Sequence, residues 1–330
     1  MDVISSESSA VIQPGRIVIL GGSGFIGTRL TSLLREQGVP VRIGDLQRSE
    51  AFPDLWTKSD VRRHETLSEV CNGATAIINL AAEHRDDVRP LSRYDETNVE
   101  GASQVCIAAQ KAGIQRIVFT SSVAVYGFHS FPVDESGPFE PFNAYGKTKL
   151  QAEAVYRAWA AEDPSRTLVV VRPTVVFGEG NRGNVYNLLR QVASGRFFMV
   201  GPGLNAKSMA YVGNVAAFLA YTLSLGPGVH TFNYVDGPDM NTKDLVAYIK
   251  QCLGLPGKTR RIPMPVAMAG GHVLDLLARV SGRTFPISAV RVQKFCANTQ
   301  FRADLVAKSN FTPPFSLNEG LARTLESEFR

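Results

Sequence analysis

Tyr145 and Lys149, in the stretch FNAYGKTKLQAE (142–153), stand four residues apart. On a helix that spacing puts both side chains on one face, within reach of each other. Each titrates near pH ~10 in water, so at neutral pH one is a neutral phenol and the other a cation. A neighbouring ammonium favours the phenolate. A phenol tuned in this way can take the proton of a carbinol whose hydride leaves for an acceptor. The competing reading is a solvated helix face, with Lys149 paired to Glu153 one turn further on. The choice turns on whether the chain also carries a hydride acceptor and a third polar group.

Residues 19–30, ILGGSGFIGTRL, supply the first. The glycines fit two registers, Gly22–Gly24–Gly27 and Gly21–Gly24–Gly27. Either lets the backbone turn tightly and approach a pyrophosphate seated on a helix N-terminus. Asp45, at the end of the next β-branched run, can hydrogen-bond the adenosine ribose hydroxyls. A carboxylate there repels a 2′-phosphate and so favours NAD over NADP, although Arg48 stands three residues on. The third polar group is a hydroxyl of Ser121 or Ser122, which close the run RIVFTSS (116–122). Carboxyl ends of strands are where open α/β sheets place their ligands.

These residues need a particular frame. The runs at 16–20, 41–45, 76–82, 116–122 and 167–173 read as nearly continuous apolar strands. Helical patterns at 25–37, 95–112 and 144–162 alternate with them. That rhythm predicts an α/β fold, a doubly wound parallel sheet of the Rossmann type covered on both faces. Past about residue 180 the pattern is less regular and richer in Gly and Pro, as in a smaller mixed α/β region that binds substrate. The expected division is a flexible tail at 1–13, a dinucleotide-binding domain at 14–180, and a mainly substrate-binding domain at 181–330 from which some segments return to the Rossmann sheet. The apolar stretch 262–284 carries His272, Asp275 and Arg279 at helical spacing. It reads as an amphipathic helix on the core, with a membrane-facing role as the other reading.

Composition narrows the class of protein. With 44% hydrophobic and 20% charged residues the chain resembles a soluble globular protein. No run approaches the ~18 apolar residues of a spanning helix. The first residues lack the basic and apolar regions of a secretory signal. Four scattered cysteines without a CxxC fit a reducing cytoplasm and predict no metal site. A net charge of +5 suits an anionic ligand, and the absence of a dense basic run with interleaved aromatics argues against nucleic acid.

Taken in order, GGSGFIG, Asp45, NLAA (79–82), Asn98 in TNVEGA, TSSVAVYG (120–127), YGKTK (145–149) and VVRPTVVFG (170–178) resemble the extended short-chain dehydrogenase/reductase superfamily. Within it they are most similar to the NAD-dependent nucleotide-sugar epimerase/dehydratase family, over roughly residues 15 to 325. The resemblance implies a catalytic Ser122, Tyr145 and Lys149, with Lys149 also on the nicotinamide ribose. It implies that Gly21, Gly24, Phe25, Ile26 and Gly27 meet the pyrophosphate of NAD and that Asp45 meets the ribose. Asp60 and Val61 would flank the adenine, and Leu80, Ala81 and Ala82 would line the path between ribose and pyrophosphate. Asn98 would support the site and Pro173 would lie by the nicotinamide. A homodimer through a four-helix interface that includes the helix of Tyr145 is also implied.

Relatives that eliminate water carry an acid after the catalytic hydroxyl residue, whereas this chain has Val123 and Ala124. Neither can act as acid or base, which argues against a dehydratase. An epimerase passing through a 4-keto sugar and a dehydrogenase or 4-ketoreductase both stay open. On the substrate side, Asn184 matches a segment that leads into nucleotide contacts, and Lys207 stands where relatives often carry an arginine facing the diphosphate. Arg291 is a second candidate for that diphosphate, and His84 a candidate substrate contact or a solvated polar residue. The expected substrate is a nucleoside-diphosphate sugar, UDP-linked. Val175 replaces an asparagine common in such relatives, so a less polar alcohol, steroid-like or flavonoid-like, is the alternative. A dinucleotide-binding regulator without chemistry is a third.

Overall fold

The computed structural model describes residues 15–85, 88–255, 259–281 and 288–330. The apolar runs form β1 (Arg16–Leu20), β2 (Val41–Asp45), β4 (Ala74–Asn79), β5 (Arg116–Thr120) and β6 (Thr167–Pro173), with β3 (Trp56–Lys58) between β2 and β4. Later strands are β7 (Val175–Phe177), β8 (Phe198–Val200), β9 (Ala206–Tyr211), β10 (Gly228–Tyr234), β11 (Asp236–Asn241) and β12 (Arg260–Ile262). The helices are α1 (Phe25–Glu36), α2 (His64–Cys71), α3 (Ser92–Tyr94), α4 (Gly101–Lys111), α5 (Ala144–Ala161) and α6 (Asn184–Ala193). They continue as α7 (Val212–Thr222), α8 (Thr242–Cys252), α9 (Met264–Ser281), α10 (Ala289–Cys296), α11 (Asp304–Ala307) and α12 (Leu317–Phe329).

Among the described residues the largest sheet has seven strands in the order β10-β6-β5-β4-β1-β2-β3. The pairs β2–β3, β1–β2, β1–β4 and β4–β5 are parallel. Every residue of β6 is buried, as are four of the five in β1, which is why these strands read as apolar runs without alternation. The expected doubly wound Rossmann sheet is present. From β1 the chain runs outward to β2 and β3, then returns to build β4, β5 and β6 on the other side. The order therefore reverses between β1 and β4, the point at which such sheets bind ligands. A smaller sheet, β11-β9-β7, is mixed: β9 pairs antiparallel with β11 and parallel with β7.

The chain divides into two compact units. One comprises residues up to Phe119 with Ala154–Val169 and Leu219–His230; the other comprises Thr120–Glu153, Val170–Phe218 and Thr231–Arg330. The first holds the glycine loop on a core of Val18, Ile19, Ile43, Ile77 and Val105. The second holds Ser122, Tyr145 and Lys149, with the mixed sheet.

The helix read at 95–112 is present, and the one read in 262–284 packs differently from expectation. The helical pattern at 95–112 is a π-helical turn at Asp95–Glu100 followed by α4. Its wider turn carries Asn98 inward, where it is buried. Within the stretch 262–284, Met264–Ser281 forms a helix, α9, but its polar and apolar residues are not sorted to opposite faces: His272 is exposed, and so are apolar residues. Asp275 is turned toward α10, accepting a hydrogen bond from the Ala289 N–H at 3.1 Å, while Val266 and Val273 are exposed. The side chain of Arg279 lies outside the described residues.

Candidate functional site

The helix that carries Tyr145 starts by a local device. The Asn143 side chain accepts a hydrogen bond from the Gly146 N–H at 2.8 Å, capping the first turn of α5. Gly146 is held to glycine by packing: a Cβ there would lie 2.4 Å from the Ala124 carbonyl oxygen. The first turn of α5 can therefore lie directly against the 3₁₀ turn at Val123–Val125, which Ser122 caps by accepting from the Ala124 N–H at 3.2 Å. This close approach brings the Ser122 hydroxyl into hydrogen bond with Tyr145. Burial pushes the Tyr145 phenol up to about 12, and the bond to Ser122 works against that rise.

Lys149, one turn on, is almost wholly buried. Its ammonium donates to the Thr120 carbonyl at 2.8 Å, at the carboxyl end of β5, and lies 5.9 Å from the centre of the Tyr145 ring. Burial brings it down to about 7, with the Glu153 carboxylate opposing. The pair is thus not a solvated helix face. A phenol and an amine whose proton affinities burial drives apart share one buried setting, near enough for the ammonium to act on a proton at the phenolic oxygen.

The two serines at the end of β5 have different partners. Ser122 meets Tyr145, whereas Ser121 is buried and donates to the Glu153 carboxylate at 2.6 Å. The same carboxylate receives Arg172 through Nε at 2.8 Å and Nη2 at 2.5 Å. Arg172 also donates to the Tyr126 hydroxyl at 2.6 Å, and that hydroxyl donates to Asn233 at 2.8 Å. Glu153, Arg172 and Ser121 therefore make a buried polar layer next to Lys149. The sequence did carry a signal for it: an arginine inside the apolar run TLVVVRP must find a charged partner if the strand is buried.

In the other unit, the glycine loop is shaped by close backbone approaches. Gly21 has φ +74°, and a Cβ on it would sit 2.7 Å from the Ala81 nitrogen. A Cβ on Gly27 would lie 2.5 Å from the Gly22 Cα, so α1 packs against the turn only with glycine there. Gly24 differs, being exposed and in an extended conformation with only the Gly21 carbonyl near a would-be Cβ, at 3.2 Å. No side chain caps α1, so the N–H groups around Phe25 and Ile26 face the space above Gly24. Asp45 closes the loop from β2, accepting from the Ser23 N–H at 3.1 Å and the Gln47 N–H at 3.0 Å.

Leu80, Ala81 and Ala82 follow β4 and are held from both ends. Asn79 accepts from the Ala81 N–H at 3.0 Å and donates to the Tyr156 hydroxyl at 2.7 Å. Asn98 accepts from the Glu83 N–H at 2.9 Å and donates to the Glu83 carbonyl at 3.1 Å. Val61 is buried against Gly101, and the Asp60 carboxylate is engaged by Arg62, which lowers its pKa. The glycine cradle, the uncapped helix N-terminus and the carboxylate at the end of β2 fit a dinucleotide.

The candidate substrate residues are less gathered. His84 and Asn184 are exposed, the latter opening α6. Lys207 lies on β9, half-buried, and burial lowers its pKa. Pro173 is buried at the end of β6, and Val175 is 38% exposed on β7. Arg291 belongs to α10, but its side chain lies outside the described residues. Among the described residues no group of metal-ligating side chains gathers, and no helix is long and apolar enough to cross a membrane.

Known proteins resemble this chain over most of its length. The model of the NAD dependent epimerase/dehydratase family matches residues 17–234. An N-acetyl-alpha-D-glucosaminyl-diphospho-ditrans,octacis-undecaprenol 4-epimerase of Escherichia coli O157:H7 is 46% identical over 315 residues, covering 95% of each chain. A 4-hydroxy-2-methyl-3-oxo-4-farnesyl-3,4-dihydroquinoline-1-oxide ketoreductase of Stigmatella aurantiaca is 31% identical over 80% of this chain and 81% of its own. The solved structure of MoeE5 in complex with UDP-glucose and NAD superposes with a TM-score of 0.74 at 24% identity, covering 95% of this chain and 98% of that one.

Proposed function

This chain belongs to the NAD-dependent epimerase/dehydratase family, and from that premise we propose a 4-epimerase of a sugar linked through a diphosphate. The observation that carries the reading is the joining of Ser122, Tyr145 and Lys149 at the end of β5. The relative of 46% identity supports position 4 of an N-acetylhexosamine as the reacting centre. Beyond the diphosphate the carrier is a polyprenol or a uridine nucleoside. That same relative favours the polyprenol.

When bound, NAD would supply a reversible hydride acceptor for the sugar carbinol. The residues do the rest. Tyr145 takes the hydroxyl proton at its phenolic oxygen and gives it back after the sugar has turned over, so no proton or electron is consumed. Ser122 holds the reacting oxygen by a hydrogen bond. Lys149 stabilises the phenolate by its charge and holds the nicotinamide ribose, while Glu153 favours that charged state of Lys149. Gly21, Gly24, Gly27, Phe25 and Ile26 hold the pyrophosphate and Asp45 the ribose hydroxyls, with Asp60, Val61, Leu80, Ala81, Ala82, Asn98 and Pro173 completing the cofactor's surroundings. Lys207 faces the substrate diphosphate, and His84 and Asn184 contact the rest of the substrate. Val123 and Ala124, in the turn after Ser122, offer no acid to eliminate water.

The mainly substrate-binding part of the chain is 181–330, and the enzyme works in the cytoplasm as a homodimer. A second reading, reduction of a less polar ketone, draws on the ketoreductase relative and on Val175. One assay separates the two. Purified protein with catalytic NAD should interconvert N-acetylglucosamine and N-acetylgalactosamine on a diphosphate carrier, read by chromatography of the released sugars. It should leave no net NADH. Absence of the 4-epimer, or turnover that consumes reduced coenzyme stoichiometrically, would discard the epimerase.

A further inference from the structure

The outward face of α9 has the wrong chemistry for water. Val266, Ala269, Gly270, Val273 and Leu277 are all exposed, and their spacing gathers them on one side of the helix. Val266, Val273 and Leu277 are 60%, 58% and 48% accessible. A surface helix ordinarily turns its apolar stripe inward and its charges out. Here the carboxylate of Asp275 is turned to α10, and Gly271 lets α9 approach the Ala289 backbone, where a Cβ would come within 2.7 Å. The described residues of the outward stripe carry no charge.

The strand that leads into this helix is basic. β12 runs straight into α9 and presents Arg260 and Arg261, both exposed, with the Arg260 guanidinium 6.0 Å from the centre of the exposed Phe198 ring. An apolar helix face entered from a strand of exposed arginines, one of them by an exposed aromatic ring, is the make-up of an element that lies in a membrane interface. The chain has no helix fit to cross the bilayer among its described residues, so it would rest on the surface. The net charge of +5 suits anionic headgroups.

We infer that the outward face of α9, with Arg260 and Arg261 in the strand that leads into it, docks on an anionic lipid bilayer, where a polyprenyl-diphosphate-linked sugar is presented. The inference rests on the polyprenol form of the function proposed above. A lipid carrier keeps its tail in the hydrocarbon and its diphosphate among the headgroups, so an enzyme seated on that surface meets the sugar without extracting the lipid.

The test is co-sedimentation of the full chain with sucrose-loaded vesicles, without any substrate. Vesicles of phosphatidylethanolamine and phosphatidylglycerol are compared with pure phosphatidylcholine. Wild type should partition onto the phosphatidylglycerol vesicles, and the pair Val266→Glu/Val273→Glu should lower that partition at least ~tenfold. Arg260→Glu/Arg261→Glu should weaken binding to phosphatidylglycerol vesicles alone. Thermal melts of each variant confirm that the fold is intact. Wild type left in the supernatant at low salt, or glutamate variants that partition like wild type, would overturn the docking face. Wild type left in the supernatant, with the glutamates converting a dimer to a monomer by light scattering, would instead assign the face to a second copy. Because binding is read without turnover, its failure leaves 4-epimerisation of a water-soluble diphosphosugar to be judged alone. A protein that docks but epimerises nothing would fail the reaction and keep the surface.

Discussion

Glu153 and Arg172 meet through two hydrogen bonds, 2.8 and 2.5 Å long, with both side chains only 2% exposed. Removing one partner of such a pair leaves the other charge buried without compensation, which costs ~3–5 kcal/mol. Glu153→Gln should therefore lower the unfolding free energy by that order. Arg172→Met in the same background should recover part of the loss, since the stranded guanidinium is then gone. Urea unfolding of the two single variants and the double variant measures the coupling. Additive losses would mean that the ion pair contributes nothing of its own.

Tyr145→Phe removes the phenolic oxygen and leaves the ring. Proton transfer by a positioned side chain is worth ~10²–10⁴-fold, so kcat should fall by that factor. The Kd for NADH, followed by fluorescence, should stay within a few-fold of wild type. Wild-type turnover in this variant would remove Tyr145 from the chemistry.

Lys149 makes stability depend on pH. Burial lowers its folded-state pKa from 10.5 to about 7. Between those values the unfolded chain binds more protons than the folded one, so stability rises with pH across the window: the cost of burying the ammonium is full near and below pH 7 and is relieved toward 10.5. Tyr145 acts in the opposite sense, but only above its ordinary value of 10.0. The stability of wild type relative to Lys149→Met should thus increase from about pH 7.5 to about pH 9.5. A gap between the two proteins that does not change with pH would contradict a depressed lysine.

Much of this site could be read before the structure, because its parts are local. Gly21, Gly24 and Gly27 sit on one strand-to-helix turn, and Tyr145 and Lys149 on one turn of α5. Asp45 ends a strand that its own apolar run marks. The layer of Ser121, Glu153 and Arg172 could not be read in the same way. Its members come from the end of β5, from α5 and from β6, and only packing decides which of two adjacent serines faces Tyr145. The short strands β7, β8 and β12, three residues each, are too brief for a period to register. The face of α9 was misread for a different reason. Its charged positions looked outward by convention, whereas Asp275 is used to fix the start of α10.

Asp45 should set coenzyme choice. Its carboxylate already orders the loop by accepting from Ser23 and Gln47. A hydrogen bond to a charged group contributes ~1.5–3 kcal/mol, so Asp45→Ala should weaken NAD by roughly ten- to a hundredfold. NADP gains from losing the repulsion of its 2′-phosphate, and the NAD-to-NADP affinity ratio should fall with it. Titrating both coenzymes against wild type and variant gives that ratio directly. If it does not move, the ribose lies elsewhere.

Gly24 and Gly27 separate folding from cofactor binding within one loop. At Gly27 a methyl group would collide with the Gly22 backbone at 2.5 Å, so α1 must shift away from the turn. Gly27→Ala should therefore lower the melting temperature and abolish NAD binding together. At Gly24 the backbone is extended, which any residue adopts, and the methyl group meets only the Gly21 carbonyl at 3.2 Å. Otherwise it points into the open space above the uncapped start of α1, where the pyrophosphate would lie. Gly24→Ala should consequently melt close to wild type yet bind NAD at least ~tenfold more weakly, because the backbone can no longer approach the phosphates. Differential scanning fluorimetry with and without NAD reads both quantities in one experiment. A Gly24→Ala protein that NAD still stabilises as it does wild type would mean the dinucleotide does not rest on this loop.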